Sequence, residues 1–166
     1  MKLILNASRA ALIAGLVVAT ATGAAIAASS PADSHKHDHA GATELQLDHG
    51  KKWAIDAPLS RAMGHIRKAV HERLEDIHTD RLAAGGYREL AATVNEEVAY
   101  MVNNCHLTPE ADAQLHLIIA ELLEGATTME KPESGANPRS GAVKIIGALD
   151  NYAKFFDDSS FQPIRH

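Results

Sequence analysis

The residues best suited to chemistry in this chain are histidines close to its N-terminus. The run His35-Lys36-His37-Asp38-His39 places three imidazoles two residues apart. An extended backbone turns alternate side chains to the same side, so the three imidazoles can face one cation. Imidazole suits Cu(II), Ni(II) and Zn(II), and Asp38 can add an oxygen ligand. The run predicts a metal-capture site, although a solvated, low-complexity tail would have the same composition.

A second candidate metal site is expected where the first predicted helix ends. His71, Glu75 and His78 are spaced four and three residues apart, so a continuous helix carries all three on one face. Two imidazoles and a carboxylate can hold Zn(II) or Cu(II), with water in the remaining position. A solvated, charged face is the alternative interpretation. Glu75 and His78 also form a Glu-x-x-His motif, but di-iron bundles need two copies and this chain has one.

A third candidate metal site contains sulfur ligands. Met101 and Cys105 lie four residues apart on the second predicted helix, and His106 follows directly. Thiolate, thioether and imidazole together suit Cu(I). Both sulfur residues also lie on an apolar stripe, where methionine fills gaps and free cysteine behaves as a small hydrophobe. The ligand and core interpretations both stay open, and Asp112 with His116 makes a weaker pair at the same spacing.

Haem is less favoured than a copper, zinc or nickel ion. The chain has no Cys-x-x-Cys-His motif, which excludes covalent c-type attachment. Non-covalent haem would need axial ligands such as Met63 with His106 or His116. A methionine on the first helix resembles the cytochrome b562 architecture, but the last predicted helix has no histidine where that family has its second ligand.

Four amphipathic helices must position these residues. Apolar residues at spacings of three and four predict helices over residues 58–78, 87–105, 109–129 and 141–157. Thr108-Pro109-Glu110 is a typical helix start, and Gly85-Gly86 predicts a break before the second helix. The expected core positions are Leu59, Met63, Ile66, Val70, Leu74 and Ile77; Leu90, Val94, Val98, Met101 and Cys105; Leu115, Ile118, Ile119, Leu122, Leu123 and Met129; and Val143, Ile146, Leu149, Tyr152 or Ala153, and Phe156.

Helices of this length with short connections predict an all-α fold, an up-down-up-down four-helix bundle. In that topology the start of the first and third helices and the end of the second and fourth share one end. The residues expected there are Met63, Met101, Cys105, His106, His116, Tyr152 and Phe156.

The N-terminus has the features of a secretory signal peptide. Lys2 and Arg9 are the only charges before Asp33, an apolar run follows Arg9, and residues 25–27 form a small-x-small cleavage site. An uncleaved membrane anchor is the alternative, but the run is dilute in leucine and isoleucine. No cysteine lies near the cleavage site, so a lipoprotein anchor is not indicated. Cleavage would leave no stable membrane anchor and would export the chain, into the periplasm of a Gram-negative bacterium.

The rest of the chain divides by composition. Of the 166 residues about 139 remain after cleavage, enough for one hydrophobic core. We expect a signal peptide at residues 1–27, a flexible His-rich arm at 28–52, the bundle at 53–158 and a tail at 159–166. Trp53 is expected to anchor the root of the arm on one end of the bundle.

Charge and motifs exclude several classes of function. Without Lys2 and Arg9 the 16 basic residues become 14, against 21 acidic residues, so the exported chain has a formal charge of −7. That charge disfavours a nucleic-acid partner. No phosphate-binding loop or His-Glu-x-x-His motif is present, so we expect no enzyme activity. Cys105 is the single cysteine, so it is buried, bound to a ligand, or paired with a second copy in a homodimer.

Three segments carry a resemblance to known proteins. LDHGKKW at residues 47–53, EVAYMVNNC at 97–105 and GAVKII at 141–146 are similar to a group of small, largely uncharacterised secreted proteins of proteobacteria. The resemblance covers most of the exported chain. It implies a helical exported domain and brings no catalytic residues with it.

These features favour a periplasmic metal-binding or metal-handling protein, with copper as the first expectation and zinc or nickel next. The His-rich arm would capture the ion, and the helical bundle would be its scaffold. The alternative is a helical interaction module with a protein partner in the periplasm, whose histidines are incidental. A third hypothesis is a response to acid, because imidazoles titrate near pH 6.

Overall fold

The computed structural model describes residues 43–131, 135 and 137–165, and this part of the chain is helical. The all-α prediction is therefore confirmed, since the described residues form no strand beyond two isolated bridges. The signal peptide expected at residues 1–27 lies outside the described residues, as do His35, His37 and His39. The helices are α1 (Ala57–His71), α2 (Leu74–His78), α3 (Ala84–Asn104), α4 (Pro109–Glu130) and α5 (Pro138–Phe155).

Three of the long helices begin in the same way, with a polar cap followed by proline. The side chains of Asp56, Thr108 and Asn137 accept hydrogen bonds from amides in the first turns of α1, α4 and α5. A capping oxygen satisfies an amide that has no partner within the helix, and proline lacks the amide that would go unpaired. The predicted start at Thr108 is confirmed. None of the helices in the described residues combines the length and the hydropathy that a membrane span requires.

The prediction of a single helix over residues 58–78 is wrong, because the chain forms two helices there, α1 and α2, with an interruption between them. The amide of Arg73 bonds to the carbonyl of Val70 at 3.0 Å instead of reaching back four residues to Ala69. The Ala69 carbonyl accepts a bond from the Arg73 guanidinium instead, at 3.1 Å. In a continuous helix the amide of Arg73 would bond to the Ala69 carbonyl. Here the Arg73 guanidinium bonds to that carbonyl instead, and the helix is interrupted at this point.

The glycine pair predicted as a break lies inside α3. This helix begins at Ala84, three residues before the expected start at Tyr87. A β-carbon on Gly86 would lie 2.5 Å from Cδ1 of Leu82, so the side chain of Leu82 packs directly over the glycine. Gly86 therefore allows a close contact with Leu82 at the start of α3, and it does not end a helix.

The core is one cluster of apolar residues shared by the four long helices. α1 packs on α3, α3 on α4 and α4 on α5, and α5 also contacts α1 and α3. The predicted core is confirmed except at four positions. Leu123 is 39 % exposed and Val143 is 50 % exposed, while Leu74 and Cys105 are half-buried. On α5 the buried face includes Ala142 and Ile145 instead of Val143.

The segments before α1 and after α5 both contact the helices or their core. The main chain of Trp53 pairs with that of Phe155 and Asp157, with N···O distances of 2.8 and 2.9 Å. The Trp53 indole, packed against the core, donates to the carbonyl of Gln46 at 2.6 Å. The amide of Gln46 donates to the side chain of Gln114 on α4 at 2.7 Å. The tail folds back onto the core, since Phe161 and Ile164 are buried.

α4 and α5 approach each other most closely at two glycines. A β-carbon on Gly125 would lie 2.6 Å from Cδ1 of Ile145 and 2.8 Å from the carbonyl oxygen of Gly141. A β-carbon on Gly141 would lie 2.5 Å from the carbonyl oxygen of Gly125. Side chains at these positions would force the two backbones apart.

We predict that Gly125→Ala destabilises the protein by about 1–3 kcal/mol, because an overpacked contact against backbone cannot relax. Gly147→Ala on α5 is the matched control. A β-carbon there meets nothing within 4 Å, so the higher helix propensity of alanine should stabilise the fold by about 0.5–1 kcal/mol. Urea unfolding measures both changes. Equal midpoints for the two variants would contradict the close approach.

Candidate functional site

The Asp56 carboxylate joins the start of α1 to the connection between α3 and α4. One oxygen accepts from the amide of Leu59 at 2.9 Å, which caps α1. The other accepts from the amide of His106 at 2.6 Å, immediately after α3. A carboxylate at this position also suits the positive end of the α1 dipole. The residues that follow α3 are therefore held against the first turn of α1.

Cys105 lies beside this carboxylate. Its amide bonds back to the carbonyl of Met101 at 2.9 Å, and its backbone then turns to an extended conformation that ends α3. Burial raises the pKa of the Cys105 thiol to about 12, assisted by the charge of Asp56, by its hydrogen bond to that carboxylate, and by the charge of Asp112. The thiol is therefore protonated at neutral pH and is a weak nucleophile in the absence of a metal.

A cavity of about 190 Å³ lies between the end of α3 and the first turns of α4. Met101 and Cys105 line it from α3, and Asp112 and His116 line it from α4, with Leu115 and Ile119 as apolar walls. Small-molecule pockets usually enclose about 300–1,000 Å³. The cavity is thus too small for a cofactor such as haem and large enough for an ion.

The ring of His116 is oriented by its own helix. Nδ1 lies 2.9 Å from the backbone carbonyl oxygen of Asp112 and 3.4 Å from the Asp112 carboxylate. A carbonyl oxygen can only accept a hydrogen bond, so Nδ1 carries the proton. In the neutral imidazole Nε2 then keeps its lone pair, which is the arrangement that metal-binding histidines commonly show.

Met63, Tyr152 and Phe156, which were also expected at this end, have packing roles, whereas the side chain of His106 is exposed. Met63 is completely buried in the core. Tyr152 stacks on Phe156 with ring centroids 5.3 Å apart, and its hydroxyl donates to the Asp158 carboxylate at 2.9 Å. Of the residues expected to gather there, Met101, Cys105 and His116 are the ones that line the cavity, and Asp112 joins them.

His71, Glu75 and His78 are not arranged as the sequence led us to expect. The continuous helix that would align them is interrupted after His71, and the Glu75 carboxylate pairs with Arg81 at 2.9 Å. His71 instead lines a surface depression together with Arg67 and Arg165. Within the described ranges no group of three or more His, Cys, Asp or Glu side chains is placed to hold a metal ion. Metal binding by this trio stays a prediction that its local geometry does not favour.

No protein-family model, curated protein sequence or solved structure matches this chain.

We predict that Asp56→Asn lowers the pKa of the Cys105 thiol and speeds its alkylation by iodoacetamide near pH 8. Asparagine still caps α1, but it removes the negative charge that disfavours the thiolate. Asp112→Asn is the control and should have a smaller effect, since Asp112 contributes least to the raised pKa. Mass spectrometry follows the reaction of the native protein. Alkylation of Asp56→Asn at the parent rate would contradict this electrostatic coupling.

Proposed function

We propose that this protein binds and handles metal ions in the periplasm, with copper as the first candidate and zinc or nickel next. The observation that carries the proposal is the run His35-Lys36-His37-Asp38-His39, whose alternate imidazoles can share one ion. The formal charge of −7 on the exported chain also favours the approach of cations over anions.

Export follows from the signal peptide proposed at residues 1–27. Its two basic residues, apolar run and small-x-small cleavage site are the parts of a secretory signal. A protonated, half-buried Cys105 gives little support to a disulfide-linked homodimer.

The scaffold in this proposal is an up-down-up-down four-helix bundle. Contacts between consecutive long helices support it. At one end Asp56, before α1, bonds to His106, after α3. At the other, Arg139 in the first turn of α5 bonds to the carbonyl of Ile77 in α2 at 2.8 Å. Such end-to-end pairings are those expected when successive helices run in alternating directions.

The root of the arm supports a tethered mode of capture. Residues 45–53 lead into α1, and Gln46 and Trp53 hold them to α4 and to the end of α5. An ion bound by the upstream histidines would remain attached to a rigid, acidic domain. Sequestration or delivery of the ion is the function that follows from this arrangement.

The arm is tested by replacing its imidazoles. We predict that the triple variant His35→Gln, His37→Gln and His39→Gln weakens Cu(II) binding about tenfold or more, or lowers its stoichiometry, as loss of metal ligands should. Isothermal titration calorimetry and equilibrium dialysis measure both quantities.

The control for this experiment lies in the same run. The variant Lys36→Gln changes charge and leaves every imidazole and the Asp38 carboxylate in place, so it should bind Cu(II) nearly as well as the parent. Unchanged binding by the triple variant would remove the arm from the proposal. Failure of the parent chain to bind any of the three ions would favour the interaction-module hypothesis.

A further inference from the structure

We propose that the cavity between α3 and α4 is a second metal site, specific for a soft monovalent cation such as Cu(I) or Ag(I). The ligands are Sγ of Cys105, Sδ of Met101 and Nε2 of His116. The inference extends the proposed metal-handling function from the arm to a fixed position on the helical domain.

Two pairs of side chains converge on one cavity. Met101 lies in the last turn of α3 and Cys105, four residues on, caps that helix, while Asp112 and His116 are four residues apart at the start of α4. Side chains at this spacing lie on the same face of a helix. A connection of four residues, 105–108, turns the two faces toward each other, and all four side chains line the same cavity.

The cavity is open to solvent on the side of His116. The side chain of Met101 is buried, with 1 % of its surface exposed, whereas the His116 side chain is 65 % exposed. Cys105 is half-buried between them. The cavity therefore runs from solvent, beside His116, to a thioether at the edge of the core. An ion can enter past an imidazole and reach sulfur without unfolding either helix.

The ring of His116 is oriented so that Nε2 can act as the ligand. Its Nδ1–H is held by the Asp112 carbonyl, with the Asp112 carboxylate close by, and Nε2 keeps its lone pair. A hydrogen bond from the distal nitrogen to an oxygen is the usual support of a metal-bound imidazole. Asp112 acts here as a positioning residue for His116.

The choice of a soft monovalent ion follows from the donors. Thiol and thioether ligands select Cu(I) over hard cations. A structural Zn(II) site would need four ligands such as Cys, His or Asp, and no group of three such side chains is assembled in the described part of the chain. Cu(I) and Ag(I) accept the two sulfurs and one nitrogen that the cavity offers.

Binding exchanges a proton for the ion. The S–H bond of Cys105 breaks, a bond forms between Sγ and the cation, and the proton passes to bulk water. The cation keeps its charge of +1, so no electron is transferred. Ag(I) is the better probe because it is stable in air, whereas Cu(I) has to be generated from Cu(II) by an added reductant.

The experiment titrates Ag(I) nitrate into the full exported chain in chloride-free buffer, with calorimetric detection. His35, His37 and His39 are first replaced by Gln, so that the arm adds no imidazole to the signal. About one Ag(I) should bind per chain. Cys105→Ser, Met101→Leu and His116→Gln, made singly in this background, should each weaken binding about tenfold or more.

His65→Gln is the matched control. His65 is another exposed histidine, paired with Glu97 at 2.8 Å and absent from the cavity lining, so its loss should leave Ag(I) affinity unchanged. Methyl NMR gives an independent readout that does not depend on affinity. The ε-methyl signal of Met101 should shift on addition of Ag(I), while those of Met63 and Met129 stay in place.

Met101→Leu preserves side-chain volume and His116→Gln changes an exposed position, so both variants should fold, as circular dichroism can verify. Unchanged Ag(I) affinity in Met101→Leu and His116→Gln, or an equal loss in His65→Gln, would overturn the cavity site. That result would not bear on the proposed role of the arm in metal binding, because the arm is tested separately with Cu(II). Likewise, an arm that fails to bind Cu(II) would not alter the outcome measured here.

Discussion

The Asp56 carboxylate is the contact on which the candidate site depends. It accepts two amide hydrogen bonds, one from the first turn of α1 and one from the residue after Cys105. These bonds hold the connection between α3 and α4 against the first turn of α1. Met101 and His116 face the same cavity because this turn is short and anchored. Burial, assisted by the negative charge of this carboxylate, raises the pKa of the Cys105 thiol and so disfavours the reactive thiolate.

Much of the fold could be predicted from local signals in the sequence. The Thr108-Pro109 cap and the apolar spacing of α4 were sufficient to define that helix, because each acts over one or two turns. The interruption after His71 was missed because no proline or glycine marks it. It depends on which donor, the Arg73 amide or its guanidinium, bonds to one carbonyl. Val143 was misassigned because the close approach at Gly125 turns Ala142 and Ile145 inward.

Of the candidate site, the sequence predicted the two pairs of side chains that line the cavity but not the contact beside them. The spacing of Met101 with Cys105 and of Asp112 with His116 is visible in the sequence, and the predicted topology placed them at one end. The role of Asp56 was missed, because its bond to His106 joins residues 50 positions apart and no local pattern reports it. His71, Glu75 and His78 were expected on one face of a continuous helix, but the helix is interrupted after His71, and metal binding by this trio stays a prediction. Met101 with Cys105 and Asp112 with His116 have the same spacing of four, and these four side chains line one cavity.

Metal content is the measurement that tests the proposed function most directly. The untagged chain would be expressed with its proposed signal peptide and purified from the periplasm without chelators, and its metals would be measured by elemental analysis together with a visible spectrum. Copper, zinc or nickel at a fixed ratio to protein is the expected result. A Soret band would point to haem instead. A colourless, metal-free protein that also takes up no added copper, zinc, nickel or silver would contradict metal handling.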